Sequence, residues 1–201
     1  MSDQPTSILP GSGSGGFGST EPTPTRPNLR PLAWNGATDF GLLLLRFAIG
    51  GTFFAHGMQK VFGLWGGPGV GGFAASLQTY GYQQATTLSW AGGIAELVAG
   101  AFVVLGVVTP FAAAGLLAIK INAVLVKLSS GYFLTSAAGV NAVEFDVVLG
   151  LGAAALVLTG PGRIALDNGR AWHRRPASWG VLAMVFGIAV GVLVYVLLRT
   201  R

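Results

Sequence analysis

The run ASWGVLAMVFGIAVGVLVYVLL, Ala177–Leu198, contains no charged side chain. At ~1.5 Å of rise per residue, about twenty such residues in a helix cover the ~30 Å hydrocarbon core of a bilayer. Lipid is therefore the solvent this stretch suits. Working back along the chain, comparable apolar runs lie at about 39–60, 88–108, 111–128 and 141–159. Thr109-Pro110 separates the second and third runs, and proline is well placed at the start of a helix, which predicts an antiparallel hairpin there. Gly160-Pro161-Gly162 breaks the chain after the fourth run. The expected fold is an all-α membrane protein: a four-helix transmembrane bundle followed by a fifth, C-terminal transmembrane helix.

Composition points the same way. Hydrophobic residues make up 52% of the 201 and charged residues 9%, against roughly 25% charged in soluble domains. So few charges cannot clothe a water-facing surface, but a bundle bathed in lipid needs none there. The net charge of +5 is concentrated in part at Arg163, Arg170, Arg174 and Arg175, between apolar runs. That is the signature of a cytoplasmic connection rather than of a nucleic-acid surface, and it puts the N-terminus inside and the C-terminus outside. No nucleic-acid partner is expected. The absence of cysteine excludes disulfide exchange, thiolate metal sites and iron–sulfur clusters within the chain. His56 and His173 are the only histidines, too few and too differently placed for a bis-histidine haem. No metal site and no built-in cofactor are expected, and any redox role must be borrowed.

Three regions follow. Residues 1–37, rich in Gly, Ser, Thr and Pro, read as a disordered cytoplasmic tail. Residues 38–168 form the four-helix bundle, and 169–201 comprise a basic linker and the fifth span. Between the first two spans, Trp65, Tyr80 and Tyr82 suit a membrane–water interface, and 70–77 is expected to form a short helix in the membrane plane. The glycines of that connection are not a phosphate loop, because the flanking strand and the lysine of such loops are missing.

Ionisable residues inside spans carry the functional information: Arg46, His56, Lys60, Glu96, Lys120, Lys127, Glu144 and Asp146. Each costs roughly 2.5–3.5 kcal/mol at a helix centre, so such groups pair, face the interior or line water. Counting rise from the cytoplasmic ends puts Arg46, Lys120 and Glu96 in a middle layer. The same count puts His56, Lys127, Glu144 and Asp146 in an outer one, with Lys60 near the edge. His56 and Lys60 are i,i+4 neighbours, Lys120 and Lys127 share a face, and Glu144 and Asp146 point apart and so form no catalytic dyad. One reading is structural: Glu96 neutralises Arg46 or Lys120, and Glu144 or Asp146 neutralises Lys127 or Lys60. The other is functional: five bases against three acids bind a polar or anionic head group such as a quinone carbonyl or lipid phosphate. His56 would then be the proton-exchanging member, its unperturbed pKa being about 6.5. In the last span Gly187-xxx-Gly191 offers a small-residue stripe suited either to docking on the bundle or to homo-oligomer contacts.

The order Arg46…Gly50…His56-Gly57…Lys60, then Glu96…Gly100…Leu105-Gly106…Thr109-Pro110, then Glu144 and Gly160-Pro161-Gly162…Leu166-Asp167, resembles the DoxX family of small bacterial membrane proteins. The resemblance runs from about Leu42 to Asp167 and leaves out the tail and fifth span. It implies a four-helix bundle in the bacterial plasma membrane and an association with respiratory or redox systems, the family name coming from a subunit of a quinone-linked oxidase. The expected function is an accessory subunit of a respiratory or redox complex that binds quinone or a redox-enzyme partner subunit at the polar layers, with no catalytic residue of its own. Arg46, Glu96, His56 and Glu144 are the residues expected to matter most. The alternative is a membrane scaffold or assembly factor whose charges are purely structural. A solute transporter is disfavoured, since neither inverted repeats nor matched broken spans are evident.

Overall fold

A computed structural model describes residues 35–133, 142–174 and 176–200. The tail expected over 1–37 lies almost wholly outside the described residues. Those described fold into helices α1 (Gly36–Phe62), α2 (Gly69–Thr79), α3 (Ala85–Leu105), α4 (Thr109–Lys127), α5 (Glu144–Thr159), α6 (Ala171–Arg174) and α7 (Pro176–Leu198). Short 3-10 turns follow α1 and α4.

Each boundary has a local cause. The Asn35 side chain accepts the Ala37 N–H at 3.0 Å and starts α1. Gly63 (φ 67°) and Gly106 (φ 69°) end α1 and α3 in the left-handed conformation, where a Cβ is costly. Pro110 occupies the first turn of α4, as the sequence predicted. The segment 70–77 is helical, extended to Gly69–Thr79, and packs on α3 and α1.

Four helical segments are long and apolar enough to cross a membrane: Gly36–Phe62, Ala85–Leu105, Thr109–Ser130 and Ala177–Leu198. The C-terminal run is one of them. The expected fourth span is the exception: α5 has 16 residues, ~24 Å of rise, short of the ~30 Å core. The residues before it, 134–141, which include Asn141 of the expected span, lie outside the described residues.

Glycine decides how closely the helices approach. Gly50 and Gly100 face each other across the α1–α3 contact, and a Cβ on Gly57 would stand 2.5 Å from the Leu97 backbone nitrogen. The two helices are antiparallel, and the glycines at the heart of the DoxX resemblance are what let their backbones touch. Gly187 and Gly191 lie against the Ala114 and Ala118 carbonyls, so α7 runs parallel to α4, while Gly180 abuts Val157 of α5. The stripe expected to serve either bundle docking or a homo-oligomer is thus covered within the chain, by α4. Ile49, Phe53, Val103, Leu116, Leu156 and Val157 fill the core. Phe47, Leu151 and Phe186 remain more than half exposed, as a lipid-facing surface requires.

A charged cavity enclosed by α1 to α5

His56 and Lys60 occupy the last turns of α1, Glu96 the middle of α3, Lys120 and Lys127 the second half of α4, and Asp146 the first turn of α5. These six line one cavity of about 530 Å³, together with Phe73 and Leu77 of α2, Tyr82, Asn122 and Phe145. The volume lies within the range of small-molecule sites, roughly 300–1,000 Å³.

Inside it the charges form two groups. Lys60 Nζ lies 2.7 Å from both oxygens of the fully buried Glu96 and 4.4 Å from the centre of the Phe73 ring. Asp146 accepts from Lys120 and Lys127, one on each oxygen, both at 2.8 Å. The seven-residue spacing on α4 has brought both lysines onto one carboxylate. Three lysines against two acids leave one uncompensated positive charge when all are ionised. His56 packs edge-on against Phe145, centroids 5.9 Å apart, and has no hydrogen bond to either ring nitrogen among the described residues. At the cavity's edge the Tyr82 hydroxyl donates to Asn122 Oδ1 at 2.5 Å, and Asn122 Nδ2 donates to the Gly191 carbonyl of α7. Burial pushes the Tyr82 phenol above its ordinary pKa, which keeps it a donor at neutral pH.

The expected layers are rearranged. Arg46 does not join Glu96 and Lys120. It is 1% exposed, donates through Nη2 to the Ile164 carbonyl, and leaves Nε and Nη1 without hydrogen-bond partners among the described residues. A Cβ on Gly106 would collide with it, so α3 ends level with Arg46 rather than at the start of α1. Glu96 therefore sits much further along α1 than a count from a common membrane plane placed it, opposite Lys60. The space left below the α3–α4 turn is filled by 160–168. There Asp167 accepts from the Val108 N–H, the Thr109 N–H and the Thr109 hydroxyl at 2.8–2.9 Å, capping α4 from a distant segment. Of the two α5 carboxylates only Asp146 lines the cavity; Glu144, expected among the residues that matter most, does not.

Sequence reasoning missed Asn122, Phe73 and Phe145. The signal for Asn122 was present, an uncharged amide two residues from Lys120 within a largely apolar run. The two phenylalanines gave no signal beyond hydrophobicity.

A multi-pass helical membrane protein with buried ion pairs around an internal cavity is the class that this fold and site define. Residues 41–128, from the second turn of α1 through the end of α4, match the DoxX family model. The matched segment includes both glycine-paired helices and five of the six ionisable cavity residues, His56, Lys60, Glu96, Lys120 and Lys127. α5, with Asp146, and the segment through Asp167 lie beyond it. No curated protein and no solved structure matches the chain.

Proposed function

We propose that the protein is an accessory subunit of a membrane redox complex and binds a quinone head group in the cavity. The observation that carries this reading is His56, with no hydrogen-bonding partner among the described residues, lining a cavity that also holds three lysines, two acids and four aromatic side chains, Phe73, Tyr80, Tyr82 and Phe145. A quinone ring needs apolar faces on which to lie and donors for its carbonyl oxygens. The lysines and imidazole supply the donors, and the surplus positive charge favours the more electron-rich, reduced forms. His56 is the group suited to exchange a proton with the bound ring. The chain supplies no electron carrier, so electrons would pass to or from a partner subunit.

In this reading all five long helices cross the bacterial plasma membrane. Their directions alternate, and α5, though short, packs against both α4 and α7. The basic segment 163–175 then lies on the cytoplasmic side with the N-terminus, and the cavity opens toward the outer half. Arg46 acts as a brace between α1, the α3–α4 turn and 160–168.

Equilibrium titration of the purified protein with a short-chain quinone tests the reading. Wild type is expected to bind, and His56→Ala to lose about tenfold or more in affinity, a loss of about 1.4 kcal/mol, with an unchanged melting temperature. Absence of binding to the wild type would overturn it. A second reading, a scaffold, is favoured by the tight pairing of Lys60 with Glu96 and of Asp146 with two lysines. It expects His56→Ala to leave both stability and every binding property untouched.

A further inference from the structure

Two apolar grooves adjoin the charged cavity. One, of about 240 Å³, runs between α4 and α5 and meets the cavity only at Lys120 and Asp146, the pair locked at 2.8 Å. The other, of about 330 Å³, runs between α3, α4 and α7 and shares Phe73, Leu77, Tyr82, Ile119 and Asn122 with the cavity. Its remaining lining is apolar and, apart from Leu88, small on the α3 and α4 sides: Ala91, Gly92, Ala95, Gly115 and Ala118. α3 and α7 flank α4 with hardly any contact with each other, so the groove opens sideways on the outer surface, where Ala91, Ala95 and Gly115 are exposed.

We infer that the ligand of the charged cavity is an amphiphile with a single long apolar chain, and that this chain leaves the cavity past Tyr82 and Asn122 along the α3–α4–α7 groove. The inference rests on the head-group reading above and specifies the tail that the head group carries. A neutral hydroxyl–amide hydrogen bond at the junction is cheaper to part than a carboxylate shared by two lysines, which selects this groove over the one beside α5. The glycine and alanine lining makes a channel with room for methylenes, and its lateral opening lets the ligand enter from the bilayer. The groove also gives α7 a purpose beyond the bundle, since Val190, Gly191 and Val194 form its outer wall.

Gly115 provides the test. A Cβ there meets nothing within 4 Å, so a large side chain enters the groove without displacing the bundle. Wild type, Gly115→Phe, Ala91→Phe and Leu151→Trp, the last in the α5-side groove, are titrated in one detergent. The probes are a methyl-substituted benzoquinone without a chain and the same ring bearing a ten-carbon chain. Partition of the chain into detergent is common to all variants and cancels in their comparison. The expected result is that Gly115→Phe and Ala91→Phe weaken the chained probe about tenfold or more while holding the chainless one within about twofold, and that Leu151→Trp changes neither. Selective loss in Leu151→Trp, no loss in the α3–α4 variants, or equal loss of both probes in those variants would overturn the chain route. Failure of wild type to bind either probe would instead remove the head-group reading, and this inference with it.

Discussion

Asp146 gives each carboxylate oxygen to a different lysine, and this sharing sets its energetic weight. Its side chain is 6% exposed and that of Lys120 is 8%. Removing one partner of a buried pair costs roughly 3–5 kcal/mol, because the other is left as an unpaired buried charge. Asp146→Asn strands two lysines at once, whereas Lys127→Met leaves the Lys120–Asp146 pair whole. Thermal unfolding in detergent should therefore show a large drop in melting temperature for Asp146→Asn and a clearly smaller one for Lys127→Met. Equal drops would mean that the two lysines do not share the carboxylate. At this scale the sequence was half legible. It identified which ionisable side chains lie within apolar runs, and the spacing of Lys120 and Lys127 put both on one face. Lys127 with Asp146 was among the pairings expected, but Lys120 with Asp146 and Lys60 with Glu96 were not, because pairing depends on the relative slide of helices, which no single helix's periodicity records. Asn122 and Tyr82 join across 40 positions, a distance no local pattern spans.

The slide itself is set at the scale of elements, by glycine. Gly57 rests on the backbone of Leu97, so a methyl group there must push α1 from α3; overpacking of this kind costs about 1–3 kcal/mol. Gly41 on the same helix has nothing within 4 Å of its Cβ position, and alanine there gains helix propensity. Gly57→Ala should lower the melting temperature and Gly41→Ala should leave it unchanged or raise it; the same sign at both positions would contradict the interface. The α3–α4 turn carries the opposite kind of feature. Val108 holds φ at 46°, a left-handed backbone that costs an L-residue roughly 1–2 kcal/mol, and the turn is held by the three hydrogen bonds to Asp167. Val108→Gly keeps the amide that Asp167 accepts and removes the strain. It is expected to stabilise the bundle by about 1 kcal/mol, read as a rise in melting temperature, and a fall would show that the valine side chain contributes more than its strain costs. The helices were legible to within a few residues, since hydropathy and the breakers Thr109-Pro110 and Gly160-Pro161-Gly162 are local signals. The depth of the α3–α4 turn was not, because it depends on 160–168 packing beneath it and on the Arg46–Ile164 contact.

Across the molecule, two groups of ionisable residues stand apart among those described. Arg46, Asp39 and Asp167 tie the ends of α1 and α4 to the 160–168 segment, Asp39 through the Arg163 N–H at 2.8 Å. His56, Lys60, Glu96, Lys120, Lys127 and Asp146 surround the cavity at the other end. The first group explains fold and the second is offered as function. Because His56 belongs to the cavity without belonging to either ion-pair group, it separates the two roles better than any charged neighbour. The most direct measurement is purification of the full-length protein from its native membrane in mild detergent, with bound quinone and co-purifying proteins identified together by mass spectrometry, for wild type and His56→Ala. Quinone and a redox enzyme are expected with the wild type, and loss of the quinone from a His56→Ala protein of unchanged melting temperature. Wild-type protein that carries no quinone and no redox partner would contradict it.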